Sequence, residues 1–396
     1  MSRALCMLVH GPFPVGEPRV ARQARAAAAA GYEVDVICMS RAGEPREESL
    51  DGIRIHRLPL EHERGVGLSA IVREYLGFTV LAARQLTGQA RRRRYRVVHV
   101  HNPPDFLLLA ALPAKILFGA RLVFDVHDLA PDMFAERFGS GAVGRIANGV
   151  LAGIERLALR LADEVITVHE PYARELRARG ARSPVVVMNS VDPDLLPSET
   201  AEVTESHGFR VVYHGTVTPW YGVDLVVDAA GAVVSQIPDL VVEIYGEGDA
   251  VPGLRERAQQ LALDGRVQFH DRWLSQTEVL SRVRAASVGV IPNRPSRLNR
   301  YALSSKLLEY VELGIPVAVA GLPTLREHFA EDEVLFFTPG DSAALAAALL
   351  AIAGDPGAAR VRAEAARQRA RAYAWETNAA RYVRLLDDLS GTPQNR

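Results

Sequence analysis

Short runs rich in valine and isoleucine alternate along the chain with longer Ala-, Arg- and Leu-rich stretches of helical period. This alternation is typical of β-α units, in which a helix returns the chain to the same edge of a parallel sheet. In the first half the strand-like runs are ALCMLVH, YEVDVICM, IRIHRL, YRVVHVHN, RLVFDVHD, EVITVHE and PVVVMNS. Seven such runs predict one doubly wound α/β sheet.

A polar stretch with two prolines, residues 193–208, interrupts the pattern and is the predicted linker. The alternation then restarts with FRVVYHGT, DLVVEIYG, VQFHD, SVGVIPN, PVAVAG and EVLFFTP. A length of 396 residues also suits two domains. The predicted domains are residues 1–192 and 209–374, both Rossmann-like. Residues 375–390 have helical spacing and are predicted to pack back on the first domain.

Charge and apolar content exclude some classes of protein. The net charge is −1, and the two halves carry about +3 and −4, so neither has the basic excess that nucleic-acid phosphate requires. The N-terminal apolar run is too short for a signal peptide, and Pro113, Lys115 and Arg121 interrupt the longest apolar stretch. The sequence therefore predicts a cytoplasmic protein. Cys6 and Cys38 lie in strand-like runs without metal or redox spacing and are predicted to be buried thiols.

One of only two lysines in the chain, Lys306, lies near the predicted start of a helix. Ser304 and Ser305 suit that start, where backbone N–H groups bind anions. Lys306 and Glu309 are three residues apart and so share a helix face. A cation there suits a diphosphate, and a carboxylate one turn later suits ribose hydroxyls. Arg294, Arg297 and Arg300 in the preceding loop could add charge. The alternative is an ordinary surface ion pair.

Glycines follow two strand-like runs of the second half. Gly215 and Gly222 bracket the turn in YHGTVTPWYG, where the backbone can approach a ligand closely. Gly246 follows the next run in IYGEGD, a weak signal that no GxGxxG motif accompanies. A conventional β-α turn is the alternative at both places.

Polar residues follow two strand-like runs of the first half. His127 and Asp128 end one run, and His99, His101, Asn102 and Asp105 lie at the end of another. Ligands of open α/β sheets bind beyond the carboxyl ends of the strands, so Asn102, Asp105 and Asp128 are candidates on the acceptor side. A neutral His127 could hydrogen-bond a phosphate or sugar, or simply its own loop. His99 and His101 have no third ligand at useful spacing, so no metal site is predicted.

Four arginines, Arg91, Arg92, Arg93 and Arg94, form a run of like charge before a strand. The run is typical of a solvated helix end. The alternative is a patch that holds the protein against anionic lipid on the cytoplasmic face of a membrane.

These segments in this order resemble the family-4 glycosyltransferases of the two-domain GT-B type. The residues that carry the resemblance are VHVHNPPDF, VFDVHDLAPDMFAER, ERLALRLADEVITVHE, VVYHGTVTPWYGVDLVV and above all SSKLLEYVELGIPVAVAG. The resemblance implies two Rossmann-like domains facing across a cleft. It also implies retaining transfer of a sugar from a nucleotide donor to an acceptor, with no required metal or other cofactor.

The family's motifs assign roles to three residues of this chain. Glu309 matches the second Glu of the E-x7-E motif and would hold the ribose. Lys306 would neutralise the diphosphate, and His127 would approach the transferred sugar and phosphate. These three are the predicted catalytic residues. The predicted donor-binding residues are Gly215, Thr216, Gly246, Arg300, Tyr301, Ser304, Ser305, Lys306 and Glu309.

The chain departs from the family pattern at several positions. The first E-x7-E position is Tyr301, and Thr216 and Tyr221 replace a frequent Arg and Lys after the first strand of the second half. The first loop, GPFPVGEPR, lacks the frequent Gly pair. A non-catalytic scaffold and a sugar-nucleotide 2-epimerase therefore stay as alternatives to a transferase. Family habit suggests cell-envelope glycans, glycolipids or small molecules as acceptors.

Overall fold

The computed structural model describes residues 3–61, 67–138, 141–197, 208–272 and 274–391, without the side chains of residues 137 and 138. Its contacts divide the chain into two units. The first consists of Met1–Asn189 with Glu376–Arg396, and the second of Ser190–Trp375. The first unit's boundary after Asn189 is three residues before the predicted limit of 192, whereas the second unit includes the predicted linker, residues 193–208. Most of the predicted linker, residues 198–207, is outside the described residues.

The first unit contains an eight-stranded sheet. Its strands are β1 (Ala4–Pro12), β2 (Glu33–Met39), β3 (Glu47–Leu50), β4 (Ile53–Leu58), β5 (Val97–His101), β6 (Arg121–Val126), β7 (Glu164–Thr167) and β8 (Val185–Val186). The order across the sheet is β3-β4-β2-β1-β5-β6-β7-β8. All described pairs are parallel except β3 with β4. The central strands are buried almost throughout, as their continuous apolar sequences require in a sheet covered on both faces.

The seven predicted strands of the first half are confirmed, and β3 is the strand that the sequence did not predict. Its residues, EESL, are all exposed and have no apolar alternation. It pairs antiparallel with β4 across a tight turn, with Leu50 opposite Ile53. An exposed edge strand of this kind is held by backbone hydrogen bonds, so its side chains leave little trace in the sequence.

The helices of the first unit cover this sheet. They are α1 (Pro18–Ala29), α2 (Leu68–Arg93), α3 (Leu112–Phe118), α4 (Ala130–Phe138), α5 (Ala142–Leu161) and α6 (Glu170–Arg179), with a 3₁₀ segment at Asp105–Ala111. Proline occupies the first turn of α1, α3 and α6, where its missing N–H costs no hydrogen bond.

The second unit contains a six-stranded parallel sheet. Its strands are β9 (Arg210–His214), β10 (Val241–Tyr245), β11 (Val267–His270), β12 (Val288–Ile291), β13 (Val317–Ala320) and β14 (Leu335–Phe337), in the order β11-β10-β9-β12-β13-β14. The six predicted strands are confirmed. The helices are α7 (Val223–Val233), α8 (Val251–Gln260), α9 (Gln276–Val283), α10 (Ser305–Glu312), α11 (Pro323–His328), α12 (Ser342–Gly354) and α13 (Pro356–Ala370). Their apolar faces and the strands form one buried core.

The C-terminal helix α14 (Trp375–Ser390) packs on the first unit through named contacts. The Tyr382 hydroxyl lies 2.9 Å from His99 Nδ1, and the Asn378 side chain accepts a hydrogen bond from the Met188 amide. Arg3 and Tyr32 both donate hydrogen bonds to Asp387. These contacts bind the end of the chain to the sheet that contains its beginning.

Among the described residues, no single helix has the length and apolar character of a membrane span. One sharply bent pair, Ser342–Gly354 with Pro356–Ser390, reaches those limits when taken together, by length and composition alone.

Candidate functional site

In the second unit, the side chain of Lys306 crosses the backbone turn that follows β9. Lys306 lies in the first turn of α10, and a Cβ added to Gly215 would come within 2.2 Å of Lys306 Cε and 3.0 Å of its Nζ. Gly215 has a φ of +109°, a conformation that L side chains rarely adopt. The turn therefore needs glycine for both its conformation and its space. Two of the predicted donor-binding residues, Gly215 and Lys306, are thus in direct contact.

The ammonium of Lys306 has aromatic rings as neighbours. Its Nζ lies 4.9 Å from the centre of the Tyr221 ring and 5.6 Å from that of Tyr213. Among the described residues, Lys306 Nζ makes no hydrogen bond or ion pair, and these rings are its neighbours. Burial lowers the pKa of Lys306, and the nearby charge of Glu309 acts against that shift. An anion at this ammonium would relieve the cost of burying it.

Glu309 lies one turn further along α10 and is only 6% exposed. Gln276, at the start of α9, donates a 2.8 Å hydrogen bond to Glu309 Oε1. His214, at the end of β9, places Nε2 3.1 Å from Glu309 Oε2. Burial lowers the pKa of His214 to about 3, and the charge of Lys306 acts in the same direction. These two contacts, one from an amide and one from a neutral imidazole, orient the carboxylate.

The N-terminus of α10 begins at Ser304, which occupies the N-cap position in extended conformation. Its side chain makes no capping hydrogen bond, although the sequence would allow one. Ser305, the first residue of the helix, is exposed. First-turn N–H groups without a side-chain cap are a ready place for an anion, beside the Lys306 ammonium.

The loop between β12 and α10 is fixed by Asn299. Its side-chain amide donates hydrogen bonds to the carbonyls of Trp220 and Arg294, at 2.9 and 2.8 Å. Arg294 forms an ion pair with Asp224, so its charge is engaged within the protein. Arg300 is exposed and its guanidinium lies 5.6 Å from the Tyr301 ring centre. Arg300 and Tyr301 thus contact each other, and no described contact joins Arg300 to Lys306.

Gly246, in the turn after β10, lies against the backbone of Gly215. A Cβ on Gly246 would lie 1.9 Å from the carbonyl oxygen of Gly215, so the turns after β9 and β10 can touch because residue 246 is glycine. Thr216 is exposed, and its carbonyl accepts a 2.7 Å hydrogen bond from the Tyr213 hydroxyl. That bond fixes the tyrosine whose ring lies near Lys306.

In the first unit, Asp125 is the centre of a buried polar cluster. Arg19 of α1 donates two hydrogen bonds to its carboxylate, at 2.9 and 3.0 Å, and Gln23 donates a third at 2.9 Å. The remaining nitrogen of Arg19 reaches the carbonyl of Val187 and the side chain of Asn189. The Arg19 charge holds the pKa of Asp125 well below its usual range, although burial alone would raise it. This ion pair is bidentate and buried.

Three histidines surround Asp125. The carboxylate lies 3.7 Å from His99 Nε2, 3.6 Å from His101 Nδ1 and 3.9 Å from His127 Nδ1. Burial lowers the pKa of both His99 and His101, so these two rings are neutral. Ligand atoms of His99, His101 and Asp125 lie within 4.8 Å of one another, as a metal site would require. Both carboxylate oxygens already accept hydrogen bonds from Arg19, whose charge opposes a metal cation.

Asn102 joins the loops after β5 and β6. Its carbonyl accepts hydrogen bonds from the backbone amides of His127 and Asp128, at 3.0 and 3.3 Å. Its amide donates to the Asp128 carbonyl at 2.6 Å and to the Asp105 carboxylate at 2.9 Å. All four acceptor-side and catalytic candidates of this unit therefore belong to one hydrogen-bonded group. The His127 ring itself is partly exposed.

Two carboxyl groups beside this cluster are protonated more readily than usual. Burial raises the pKa of Asp105 to about 7, while its hydrogen bond from Asn102 acts against the shift. Burial also raises the pKa of Glu17 to about 8, and the charge of Asp128 adds to it. The Glu17 carboxyl lies over Gly11, where a Cβ would come within 2.1 Å of Oε1. Glu17 is a candidate that the sequence did not predict.

Other contributors were also missed from the sequence. Arg19, Gln23 and Gln276 approach their partners only through tertiary packing, so no local pattern marks them. His214 had a usable signal, because it is the last residue of a strand and directly precedes Gly215.

Two family models match the chain, one for each sheet. Residues 16–191 match the glycosyl transferase 4-like domain, and residues 208–355 match the glycosyl transferases group 1. The chain therefore belongs to the family-4 glycosyltransferases of the GT-B fold, as the resemblance in its sequence indicated.

Curated relatives and solved structures agree with this assignment. The chain is 26% identical over 371 residues to glycogen synthase of Mycobacterium tuberculosis, covering 89% of this chain and 86% of that protein. It is also 26% identical over 360 residues to 2-deoxystreptamine glucosyltransferase of Streptomyces kanamyceticus, covering 85% and 89%. Sucrose-phosphate synthase from Thermosynechococcus elongatus matches 99% of this chain and all of that chain, with a TM-score of 0.80 and 20% identity. Anabaena HepE in complex with UDP-glucose matches 97% and 99%, with a TM-score of 0.71 and 16% identity.

Proposed function

We propose that this glycosyltransferase moves a sugar from a nucleotide-sugar donor to an acceptor hydroxyl and retains the configuration at the anomeric carbon. The observation that carries the proposal is the Lys306 ammonium, which is half-buried beside Gly215 and has tyrosine rings rather than a carboxylate as neighbours. The solved structure of Anabaena HepE with UDP-glucose supports a nucleotide sugar as the donor class.

The donor's charged half fits the groups around α10. A diphosphate would accept hydrogen bonds from Lys306 and from the first-turn N–H groups of α10, at the positive end of the helix dipole. The ribose hydroxyls would donate to Glu309, whose carboxylate Gln276 already orients. Lys306 and the first-turn N–H groups of α10 would stabilise the leaving diphosphate without a metal ion, so we expect no metal requirement.

The transfer step that we propose is a front-face displacement. The acceptor oxygen forms a bond to the anomeric carbon on the face from which the diphosphate leaves, and the bond between that carbon and the phosphate oxygen breaks. The acceptor proton passes to the departing phosphate oxygen. Lys306 stabilises the charge that develops on this oxygen, which is the main contribution expected of a fixed cation at a leaving group.

His127 has a narrower proposed role, which rests on the family motif. Its backbone amide is fixed by Asn102, and its ring is partly exposed next to the buried Asp125 cluster. We propose that the imidazole donates a hydrogen bond to the transferred sugar or to the leaving phosphate. Asn102, Asp105 and Asp128 are proposed to bind the acceptor.

A panel of UDP-, GDP- and ADP-sugars tests this function. A ligand that binds only the native state raises the melting temperature more the more tightly it binds, so we expect one nucleotide class to raise it clearly above the others. The stabilising donor is then incubated with and without candidate acceptors such as glucose, myo-inositol and 2-deoxystreptamine. The products are identified by mass spectrometry and their anomeric configuration by NMR.

Formation of a glycoside with the donor's configuration is the expected result. An inverted product would contradict the retaining mechanism. Isomerisation of the donor sugar without acceptor would favour an epimerase, and binding with neither hydrolysis nor transfer would favour a non-catalytic scaffold.

A further inference from the structure

Exposed apolar side chains of the first unit are concentrated on two helices. On α2, Leu68, Val72, Leu76 and Val80 are spaced by four residues and are 41–58% exposed. Residues at this spacing lie along one side of a helix. The described part of the second unit has one comparable side chain, Val361 on α13. We call the face that carries these α2 side chains, together with those of α5, the α2/α5 surface.

On α5, the exposed apolar residues are Val143, Ile146, Val150 and Leu157, at 48–82% exposure. Their spacing of three, four and seven residues also follows one side of a helix. The two helices both pack against the 3₁₀ segment Asp105–Ala111, and Val72 of α2 and Val150 of α5 line one cavity, so the two exposed sides adjoin there.

An apolar cavity of about 390 Å³ opens between the helices of this surface. Ile71 and Tyr75 of α2, Phe106 of the 3₁₀ segment, Phe134 of α4 and Leu151 and Ile154 of α5 line it. Val72 and Val150, which belong to the exposed sides just described, also line the cavity. The cavity therefore continues the apolar surface into the protein.

The charges on α2 and α5 have one sign. The exposed charged residues are Arg73, Arg84, Arg91 and Arg92 on α2 and Arg145, Arg156 and Arg160 on α5. Each helix has one acidic residue, and both are turned inward: Glu74 lies 3.0 Å from His10, and Glu155 lies 3.0 Å from Arg179. The α2/α5 surface thus presents apolar side chains and arginines without an exposed carboxylate on either helix.

We propose that the α2/α5 surface docks on an anionic lipid bilayer, with an acyl chain entering the cavity. Apolar side chains at the helix face enter the boundary between head groups and chains, while arginines bind lipid phosphates. Exposed arginines without an exposed carboxylate on either helix match an anionic lipid surface better than a protein partner that carries charges of both signs.

The proposal differs from a contact made by the arginine run before β5. Arg91 is fifteen residues beyond Leu76 on α2, which is about 22 Å along the helix axis. We therefore expect the contact to depend on α5 and the N-terminal half of α2, and to be independent of donor binding.

A flotation assay with the full-length protein tests this proposal. Unilamellar vesicles of phosphatidylcholine alone and of phosphatidylcholine with 30% phosphatidylglycerol are compared at low and high salt. We expect wild-type protein to float with the anionic vesicles and to be released by salt. Ile146→Glu with Val150→Glu should lower the partition coefficient more than tenfold. Arg156→Gln with Arg160→Gln should lower it about fivefold per arginine, the effect of one basic residue near an anionic surface.

Two control variants accompany these. Val361→Glu adds a charge at an exposed valine of the second unit, and Arg91→Gln with Arg92→Gln changes the other end of α2. We expect each to retain wild-type binding within about twofold. Circular dichroism melts verify that all variants fold.

The proposal is wrong if wild-type protein does not float with anionic vesicles, or if Ile146→Glu with Val150→Glu floats as well as wild type. Loss of flotation only in the Arg91 and Arg92 variant would assign the contact to the arginine run instead. A dimer that light scattering detects in wild type and not in Ile146→Glu, together with no flotation, would assign the surface to a second copy of the chain.

Discussion

The two units differ in whether a cation and a carboxylate in the protein interior are bonded to each other. In the first, Arg19 and Asp125 are joined by two hydrogen bonds, and the guanidinium is further bound by Val187 and Asn189. In the second, Lys306 faces tyrosine rings while Glu309 takes its hydrogen bond from Gln276. A satisfied ion pair stabilises the fold, whereas a cation and a carboxylate kept apart can each bind a ligand group. The choice of amino acid agrees, since a planar guanidinium suits a fixed bidentate pair and a flexible ammonium suits a phosphate.

The largest expected effect is a loss of stability when the ion pair between Arg19 and Asp125 is broken. Arg19→Met leaves the Asp125 carboxylate buried without its cation, and such losses destabilise by about 3–5 kcal/mol. Of the three tryptophans, Trp220 and Trp273 lie within the second unit, whereas Trp375 begins α14, so in a Trp375→Phe background the fluorescence reports on the second unit alone. In urea we expect an early transition by circular dichroism that fluorescence does not follow.

The matched control for this variant is Arg84→Met, which removes an exposed arginine from α2. Surface changes of this kind are usually within about 0.5 kcal/mol. Equal stability of the two variants would show that the Arg19 pair does not hold the first unit together.

The second prediction concerns the separated cation. Lys306→Met removes a cation without an ion-pair partner, so we expect the urea midpoint of the free protein to stay the same or rise. The affinity for the stabilising nucleotide diphosphate should fall by about 1.5–3 kcal/mol, the value of a hydrogen bond to a charged group. Isothermal titration calorimetry measures this loss.

The other lysine provides the control. Lys115 donates hydrogen bonds to Leu161 and Asp163 in the first unit, so Lys115→Met should leave nucleotide affinity unchanged. If Lys306→Met instead lowered the midpoint and left nucleotide affinity intact, Lys306 would be a structural residue like Arg19.

A third prediction separates the carboxylate's role from that of the cation. If Glu309 accepts hydrogen bonds from ribose, wild-type protein should bind the ribonucleotide more tightly than its 2′-deoxy analogue by about 1 kcal/mol or more. Glu309→Gln should reduce that preference while it keeps the fold, because the amide has the same shape.

The affinities of wild type and Glu309→Gln for the ribonucleotide and its 2′-deoxy analogue form a double-mutant cycle. This cycle isolates the contact between Glu309 and the ribose hydroxyl. Glu312→Gln, one turn further along α10, is the control. An unchanged preference in Glu309→Gln would remove Glu309 from the ribose site.

The smallest expected effect concerns Glu17 in the first unit. Its folded-state pKa of about 8 lies above the ordinary value of 4.5, so the folded state binds the proton more tightly than the unfolded state. This stabilisation is complete below about pH 4.5 and is lost as the pH rises toward 8. Glu17→Gln, which carries no charge, should therefore be more stable than wild type at pH 9 and similar at low pH. The full difference between the two pKa values would give about 5 kcal/mol, and we expect a fraction of it, on the order of 1 kcal/mol, because the Glu17 side chain is partly exposed.

Urea unfolding of both proteins at pH 5 and pH 9 measures the difference. Glu256→Gln, which removes an exposed carboxylate from α8, is the matched control. A stability difference that did not change with pH would mean that Glu17 titrates normally.

The sequence predicted the parts of the fold that local patterns determine. Val- and Ile-rich runs marked the buried strands because a parallel sheet covered on both faces requires continuous apolar sequence. The edge strand β3 was missed because its four residues, EESL, are exposed and make no part of the apolar core, so no apolar pattern marks them. Lys306 and Glu309 were predicted to be neighbours because three residues along a helix place two side chains on one face, and both lie in α10.

The other contacts of the site could not be predicted because they join residues that are far apart in the sequence. Asp125 and Arg19 are 106 residues apart, and Glu309 and Gln276 are 33 apart, so no spacing rule connects them. The sequence showed no third metal ligand near His99 and His101, because Asp125 lies on the neighbouring strand, where His101 is opposite it in register. Tyr221, noted only as a departure from the family, lies beside the Lys306 ammonium.

The low number of lysines has a practical consequence. Burial lowers the pKa of Lys306, so a larger share of this amine is uncharged at a given pH, and an uncharged amine reacts with aldehydes and active esters. Lys115 donates hydrogen bonds to a carboxylate and a carbonyl, which occupy its amine. Of the two lysines, Lys306 should therefore take up an isotopic label first in reductive methylation at mild pH, and its rate of labelling would report on occupancy of that position.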